Sequence, residues 1–175
     1  MKSPVVRKGS AGFYIFELLI VLLMVAVITG YAIVRFRSSQ IAIARVNAAQ
    51  EFVVYLEQAR LDSNRRQTNS VDQMACVTVV DNSTYSYMID ANSDGRLDPP
   101  KQVTIPTINS LRIKGPFPKT FRYDGLGRVV DLNNNIVEPP LVVFANSKGT
   151  STVHLSAGGK PVVVHGPQPG IGVQR

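Results

Sequence analysis

From Phe13 to Val34 the chain runs for 22 residues with a single charge, Glu17. As an α-helix at 1.5 Å per residue this run spans about 33 Å, roughly one hydrocarbon core. A carboxylate inside such a helix costs roughly 2.5–3.5 kcal/mol at mid-membrane and less near an end. Glu17 therefore requires a partner or a role. A secretory signal peptide has a shorter apolar region, about 7–15 residues, and ends at a small-residue cleavage site. No A-x-A-like triplet closes this run.

The charges on either side bear on orientation. Lys2, Arg7 and Lys8 precede the run and favour a cytoplasmic N-terminus. Arg35 and Arg37 follow it and read as an interfacial collar that holds the helix end near the headgroups. The formal charge is +7, but without residues 1–12 there remain 16 basic against 12 acidic residues, an excess of 4. That is a mild excess rather than a nucleic-acid signature. The chain holds one cysteine, Cys76, which excludes an intrachain disulfide and a cysteine-cluster zinc site. Cys76 reads as a small hydrophobe in a strand. His154 and His165 fall on separate candidate strands. No G-x-S-x-G, P-loop or H-E-x-x-H pattern is present, and no enzyme activity is expected.

Gly12, Phe13 and Glu17, standing at the head of an uninterrupted apolar run, resemble the N-terminal signature of type IV pilins and pseudopilins. In that family a short basic leader ends in Gly, a prepilin peptidase cleaves after it, the new N-terminal Phe is methylated, and Glu is the fifth residue. The resemblance implies a leader over 1–12 with cleavage between Gly12 and Phe13, and N-methylation of Phe13. It implies a transmembrane and assembly helix over 13–36, in which Glu17 acts in assembly, and a periplasmic head over 37–175. The protein would then sit in the bacterial inner membrane with a single pass and join a filament with other pilins or pseudopilins.

No proline occurs between Pro4 and Pro99, so one helix of about 50 residues from Phe13 to about Arg66 is compatible with the sequence. Beyond Arg37 it becomes amphipathic: Ala42, Val46, Ala49, Val53 and Leu56 recur at steps of three and four and share a face. Arg60, Arg65 and Arg66 suit the negative end of the helix dipole, and Asn69-Ser70 is a plausible stop. Gly30 is the weak point within the apolar run.

From Val71 the texture changes to short β-rich runs: Ala75–Val80, Tyr85–Ile89, Val103–Ile108, Leu111–Lys114, Thr120–Tyr123, Arg128–Leu132, Leu141–Phe144, Thr152–Leu155 and Val162–Val164. Asp/Asn/Gly/Pro-rich breaks separate them. Alternation such as Thr120-Phe-Arg-Tyr123 indicates antiparallel sheet with one face on a core. The helical face is the expected cover. The fold class is therefore α+β and pilin-like, with a long N-terminal helix whose amphipathic half, 37–68, packs on an antiparallel β-sheet head, 71–165. The head is expected to fold alone, as a monomer. The Gly/Pro/Gln-rich end from Gly166 to Arg175 is read as loose.

Within the head, Leu56-Glu-Gln-Ala-Arg60 with Arg65-Arg66, then Phe121-Arg-Tyr-Asp-Gly-Leu-Gly127-Arg128, then Thr152-Val-His-Leu-Ser-Ala-Gly158-Gly-Lys160, are similar to the GspH/FimT group of minor pseudopilins. The group implies membership of a type II secretion pseudopilus or a type IV pilus. Some FimT-like members contact DNA through a basic G-R-x-R motif, which makes DNA uptake the alternative. Here Gly127-Arg128-Val-Val130 lacks the second arginine, and Arg112, Lys114, Lys119, Arg122 and Arg128 form no strong basic stripe and read as a solvated sheet face. DNA binding is expected to be weak or absent.

One side-chain cluster suggests an ion. In Asp90-Ala-Asn-Ser-Asp-Gly-Arg-Leu-Asp98 oxygen ligands fall at positions 1, 3, 5 and 9, with Gly at 6. This is part of a calcium loop, in which Asp90, Asn92, Asp94, the Arg96 carbonyl and Asp98 would be the ligands. Position 12 is Lys101, and Pro99-Pro100 forbid the helix that follows in an EF-hand. The other reading is an Asp/Asn/Gly-rich turn. No cofactor is required by the sequence.

Overall fold

The computed structural model describes residues 11–68, 70–106, 110–137, 141–156 and 158–166. Residues 1–10 of the expected leader, Asn69 at the expected stop, the end of the Val103–Ile108 run and the tail from 167 lie outside the described residues. The chain divides into two compact units, Met1–Gln40 and Ile41–Arg175. The division falls four residues beyond the expected end of the apolar segment at 36.

Helix α1 spans Ala11–Arg66 and passes Gly30 without a break. Arg65 and Arg66 occupy its last turn, where cations complement the exposed carbonyls. Gln67 then takes φ +49°, the left-handed conformation that often terminates a helix. In the first unit every residue from Tyr14 to Arg37 is exposed. Among the described residues the apolar run therefore covers nothing within its own unit.

In the second unit the helix is amphipathic, with a face rotated from the expected one. Arg45, Ala48, Ala49, Phe52, Leu56, Ala59, Asp62 and Ser63 are buried. Ala49 and Leu56 belong to the expected stripe, whereas Ala42, Val46 and Val53 lie half-buried at its margin. The stripe turns because Phe52, the largest apolar side chain on this stretch, takes the centre. Arg45 shares its face at one-turn spacing despite its charge.

Nine strands lie among the described residues: β1 Cys76–Val79, β2 Thr84–Met88, β3 Lys101–Thr104, β4 Arg112–Lys114, β5 Lys119–Tyr123, β6 Val129–Val130, β7 Val142–Asn146, β8 Gly149–Leu155 and β9 Pro161–His165. All pairings are antiparallel. They form two sheets, β3-β2-β1-β5-β6 and β4-β7-β8-β9. Alternation fixes which side of each strand is buried. In β8, Ser151, Val153 and Leu155 face in, while Thr150, Thr152 and His154 face out. Cys76 is buried in β1, and burial pushes its thiol pKa up.

Phe52 joins the layers. It has no exposed surface, and its ring lies 5.1 Å from Tyr85 and 6.0 Å from Phe121, both in the five-stranded sheet, and 5.6 Å from Phe144 in the other. Leu56, Val77, Val79, Ile113, Val142 and Val153 belong to the same cluster. Burying a side chain of this size contributes about 1.5–3 kcal/mol, so the helix half in this unit is held by packing rather than by propensity.

Candidate functional site

Three regions carry the residues singled out in the sequence. The first is the helix start. Gly12 and Phe13 fall within α1. Glu17 is exposed one turn further on, among exposed Tyr14, Leu18 and Val21. Among the described residues no cation lies within ion-pair distance of Glu17. The helix holds an 18-residue window of mean hydropathy 2.5, so it is a candidate membrane span by length and composition. Beyond the run, the Arg35 Nε donates to the Tyr31 hydroxyl at 3.0 Å, and its guanidinium lies 5.4 Å from that ring centre. The apolar stem of Arg35 thus folds along the helix, as an interfacial arginine does.

The second region is the loop from Asp90 to Asp98. The structure brings Asp90, Asn92, Asp94, Arg96 and Asp98 into one turn, closed by Gly95 at φ +86°. Their oxygens are engaged by backbone donors. Asp90, almost fully buried, accepts from the Asp94 N–H at 3.1 Å and the Gly95 N–H at 2.9 Å. Asn92 Oδ1 accepts from the Asp94 N–H at 3.0 Å, Asp94 from the Arg96 N–H at 2.8 Å, and Asp98 from the Ala91 N–H at 3.0 Å. The Arg96 N–H, and then the Asn92 side chain, hold the Asp94 carboxyl below the usual carboxylate range. Among the described residues no three His, Cys, Asp or Glu side chains converge as metal ligands.

The positive charge beside this loop is Arg65. Its Nη2 donates to the Asp90 carboxylate at 3.3 Å, to the Asp90 carbonyl at 3.1 Å and to Asp62 at 2.9 Å, while Nη1 meets the Ser93 hydroxyl. Asp62 also takes Arg66 at 2.8 Å and the Asp90 N–H at 3.1 Å. The last turn of the helix is thereby cross-linked to the loop by a network in which both aspartates are buried.

The third region unites the fragments that carried the pseudopilin resemblance. Arg60 Nε donates to the Gly127 carbonyl at 3.2 Å. Gly159, at φ +74°, packs so closely that a Cβ there would lie 2.2 Å from the same oxygen and 3.1 Å from the Tyr123 ring. Only glycine fits that approach. Asp124, buried, accepts from the Leu126 and Arg128 N–H groups and pairs with the Arg128 guanidinium at 2.6 Å. The Gly127-Arg128 step is thus a stapled turn. The other basic residues of the 112–128 segment divide between sheets: Arg112 and Lys114 on β4, Lys119 and Arg122 on β5.

One group was not anticipated. Buried Arg45 donates from Nε to the Ser151 hydroxyl at 3.1 Å and from Nη1 to Asn146 Oδ1 at 3.4 Å. Asn146 Nδ2 donates to the Ile41 carbonyl at 2.8 Å, and the Ser151 hydroxyl lies 3.2 Å from His165 Nδ1. The signal was present in the spacing of Arg45 to Ala48, Ala49 and Phe52, but charge argued for the outer face. No family model, curated protein or solved structure matches the chain.

Proposed function

We propose that the chain is a structural minor pseudopilin of the GspH/FimT kind, a subunit of a type II secretion pseudopilus or a type IV pilus. Its leader is removed between Gly12 and Phe13 by a prepilin peptidase, Phe13 is methylated, and the apolar helix anchors the chain in the inner membrane before assembly with other pilins. The observation that carries this reading is an apolar helical stretch exposed from Tyr14 to Arg37, with one carboxylate, Glu17, near its start that has no ion-pair partner among the described residues. Lipid or neighbouring helices would cover the apolar surface. The amine of a processed Phe13 on a neighbour is the cation that Glu17 lacks. A separate compact unit with its own core supports a head that remains outside the bilayer. For a DNA-contacting pilin, the Gly127-Arg128 step would have to bind phosphate, and its guanidinium is held by Asp124.

The deciding experiment is intact-mass and N-terminal analysis of the protein from membranes of a host that has the peptidase. A chain beginning at Phe13 with one added methyl group is expected. A chain still beginning at Met1 overturns the proposal.

A further inference from the structure

Arg45 is the one arginine among the described residues that is buried as a whole, at 5% exposed. Among those residues no carboxylate lies within ion-pair distance of it. Arg66, whose side chain is 9% exposed, shows the usual solution: it is paired with Asp62. A buried charge without a counter-ion is costly, and buried charges are as a rule paired. Ser151 and Asn146, the partners of Arg45, are both neutral.

The elements around Arg45 have no acidic side chain to give it. They are the start of the helix in this unit, the end of β7, the turn into β8, and the end of β9, where His165 meets Ser151. Between Glu17 and Glu51 the chain contains no acidic residue, and from Pro139 to Arg175 it contains none. The second stretch instead adds Lys148, whose N–H shares Asn146 Oδ1 with Arg45. The end of the unit at which the helix enters therefore carries cations without carboxylates. The guanidinium there is not sealed. Nε and Nη1 are bonded, while Nη2 has no hydrogen-bond partner among the described residues and is not one of the buried polar atoms left without one. Solvent therefore reaches Nη2.

We propose that the open edge of Arg45 binds the phosphate of an anionic lipid headgroup, with Lys148 adding positive charge beside it. A planar guanidinium can engage phosphate oxygens through Nη2 while Nε and Nη1 stay on Ser151 and Asn146. The phosphate supplies the counter-ion that the surrounding sequence omits. Chain length favours a lipid over a soluble anion. The apolar segment ends at 36 and the compact unit begins at Ile41, five residues later. No arrangement of the two units can separate those points by more than about 18 Å. The inference rests on the membrane-anchor reading of that segment.

The test follows the melting midpoint of the full-length chain in detergent micelles doped with phosphatidylglycerol, phosphatidylcholine or inorganic phosphate. Phosphatidylglycerol is expected to raise the midpoint as its mole fraction rises. Phosphatidylcholine, whose phosphate is balanced by its own choline, and inorganic phosphate are expected to do much less. Arg45→Gln is expected to raise the lipid fraction needed for half of the shift about tenfold or more. Arg45→Lys keeps the charge without the planar edge, is expected to raise it by less, and decides the matter if Arg45→Gln does not fold. Arg112→Gln, on β4, is expected to behave as the native chain. No response to phosphatidylglycerol overturns the proposal, as does an unchanged half-shift fraction in the Arg45 variants or an equal loss in Arg112→Gln. An equal response to inorganic phosphate assigns a soluble anion and overturns the lipid. Self-association without lipid that is lost in Arg45→Gln assigns a neighbour's carboxylate and overturns it too. Cell fractionation keeps the two readings apart. A chain recovered outside membranes defeats the anchor reading, whereas a membrane-bound chain indifferent to phosphatidylglycerol defeats this inference alone.

Discussion

Replacing Phe52 by alanine removes the one side chain among the described residues whose ring contacts aromatic rings of both sheets. Phe52 has no exposed surface, and three aromatic neighbours lie within 6.0 Å. A buried Phe→Ala change costs about 3–5 kcal/mol in transfer and cavity terms. Aromatic pairs add about 0.5–1.5 kcal/mol each beyond their area. Because Tyr85, Phe121 and Phe144 belong to two different sheets, the site cannot collapse by moving one layer, and the loss falls near about 4 kcal/mol. For a unit of this size each kcal/mol corresponds to roughly 3–4 °C, so the melting midpoint of the head from Ile41 onward is expected to fall by about 12–16 °C. Near-ultraviolet circular dichroism follows the aromatic core directly. Val54→Ala, at a helix position 52% exposed, is the reference and should stay within about 0.5 kcal/mol. A Phe52→Ala loss below about 1 kcal/mol would refute the placement of the helix over both sheets, since no surface residue costs more.

Glu17→Ala is expected to leave the head's melting unchanged and the protein inserted in membranes, but to reduce its incorporation into a filament; unchanged incorporation removes the pairing argument. Asp90→Asn keeps the shape but weakens the bonds to Arg65 and to the Asp94 and Gly95 N–H groups, and should cost about 1–3 kcal/mol in a denaturant titration. Calcium separates the two readings of the same loop. With Arg65 already on Asp90, the midpoint is expected to be indifferent to about millimolar calcium, whereas a resident ion of the extracellular kind, with Kd about 10⁻⁴–10⁻³ M, would raise it and lose the effect in Asp94→Ala. The pH dependence follows from three depressed carboxyls: Asp81, held by the Ser83 N–H, Asp94, held by the Arg96 N–H, and Asp131, held by the Asn135 N–H. The native state stabilises their charged form, so their contribution is present above the ordinary aspartate pKa, about 3.9, and is lost as pH falls through the lower folded values. A melting midpoint that does not decline between about pH 4 and pH 2 would contradict this.

The parts of the fold that depend on local pattern were legible in the sequence. Each of the nine β-rich runs contains an observed strand or overlaps one, because two-residue alternation and Asp/Asn/Gly breaks are local signals. The absence of proline between Pro4 and Pro99 left α1 uninterrupted, and its end at Arg66 matched the expected one. Partnership was not legible. β1 pairs with β5 as well as β2, and β4 with β7, across long stretches of chain. The division of the strands between two sheets was therefore not visible in the sequence. The rotation of the helix face has a similar origin: a stripe drawn through Val46 and Val53 ignored that a phenylalanine outweighs a valine in buried area. The loop at Asp90 illustrates a different limit. The spacing of its oxygens was visible, but the guanidinium beside them comes from Arg65, distant in sequence and brought there only by folding.

The bonds of Arg45 and Asn146 acquire a mechanical meaning if the helix is ever pulled. Ile41 and Arg45 are the first residues of the compact unit to be tied across to another element. Both ties lead to the four-stranded sheet, through Asn146 at the end of β7 and Ser151 in β8. A load applied along the N-terminal stretch would be received by that sheet before it reached Phe52 and the five-stranded sheet. Two neutral hydrogen-bonding side chains and one buried guanidinium are therefore the first links to be strained, and their rupture would release the leading turn of the helix while the aromatic centre remained closed.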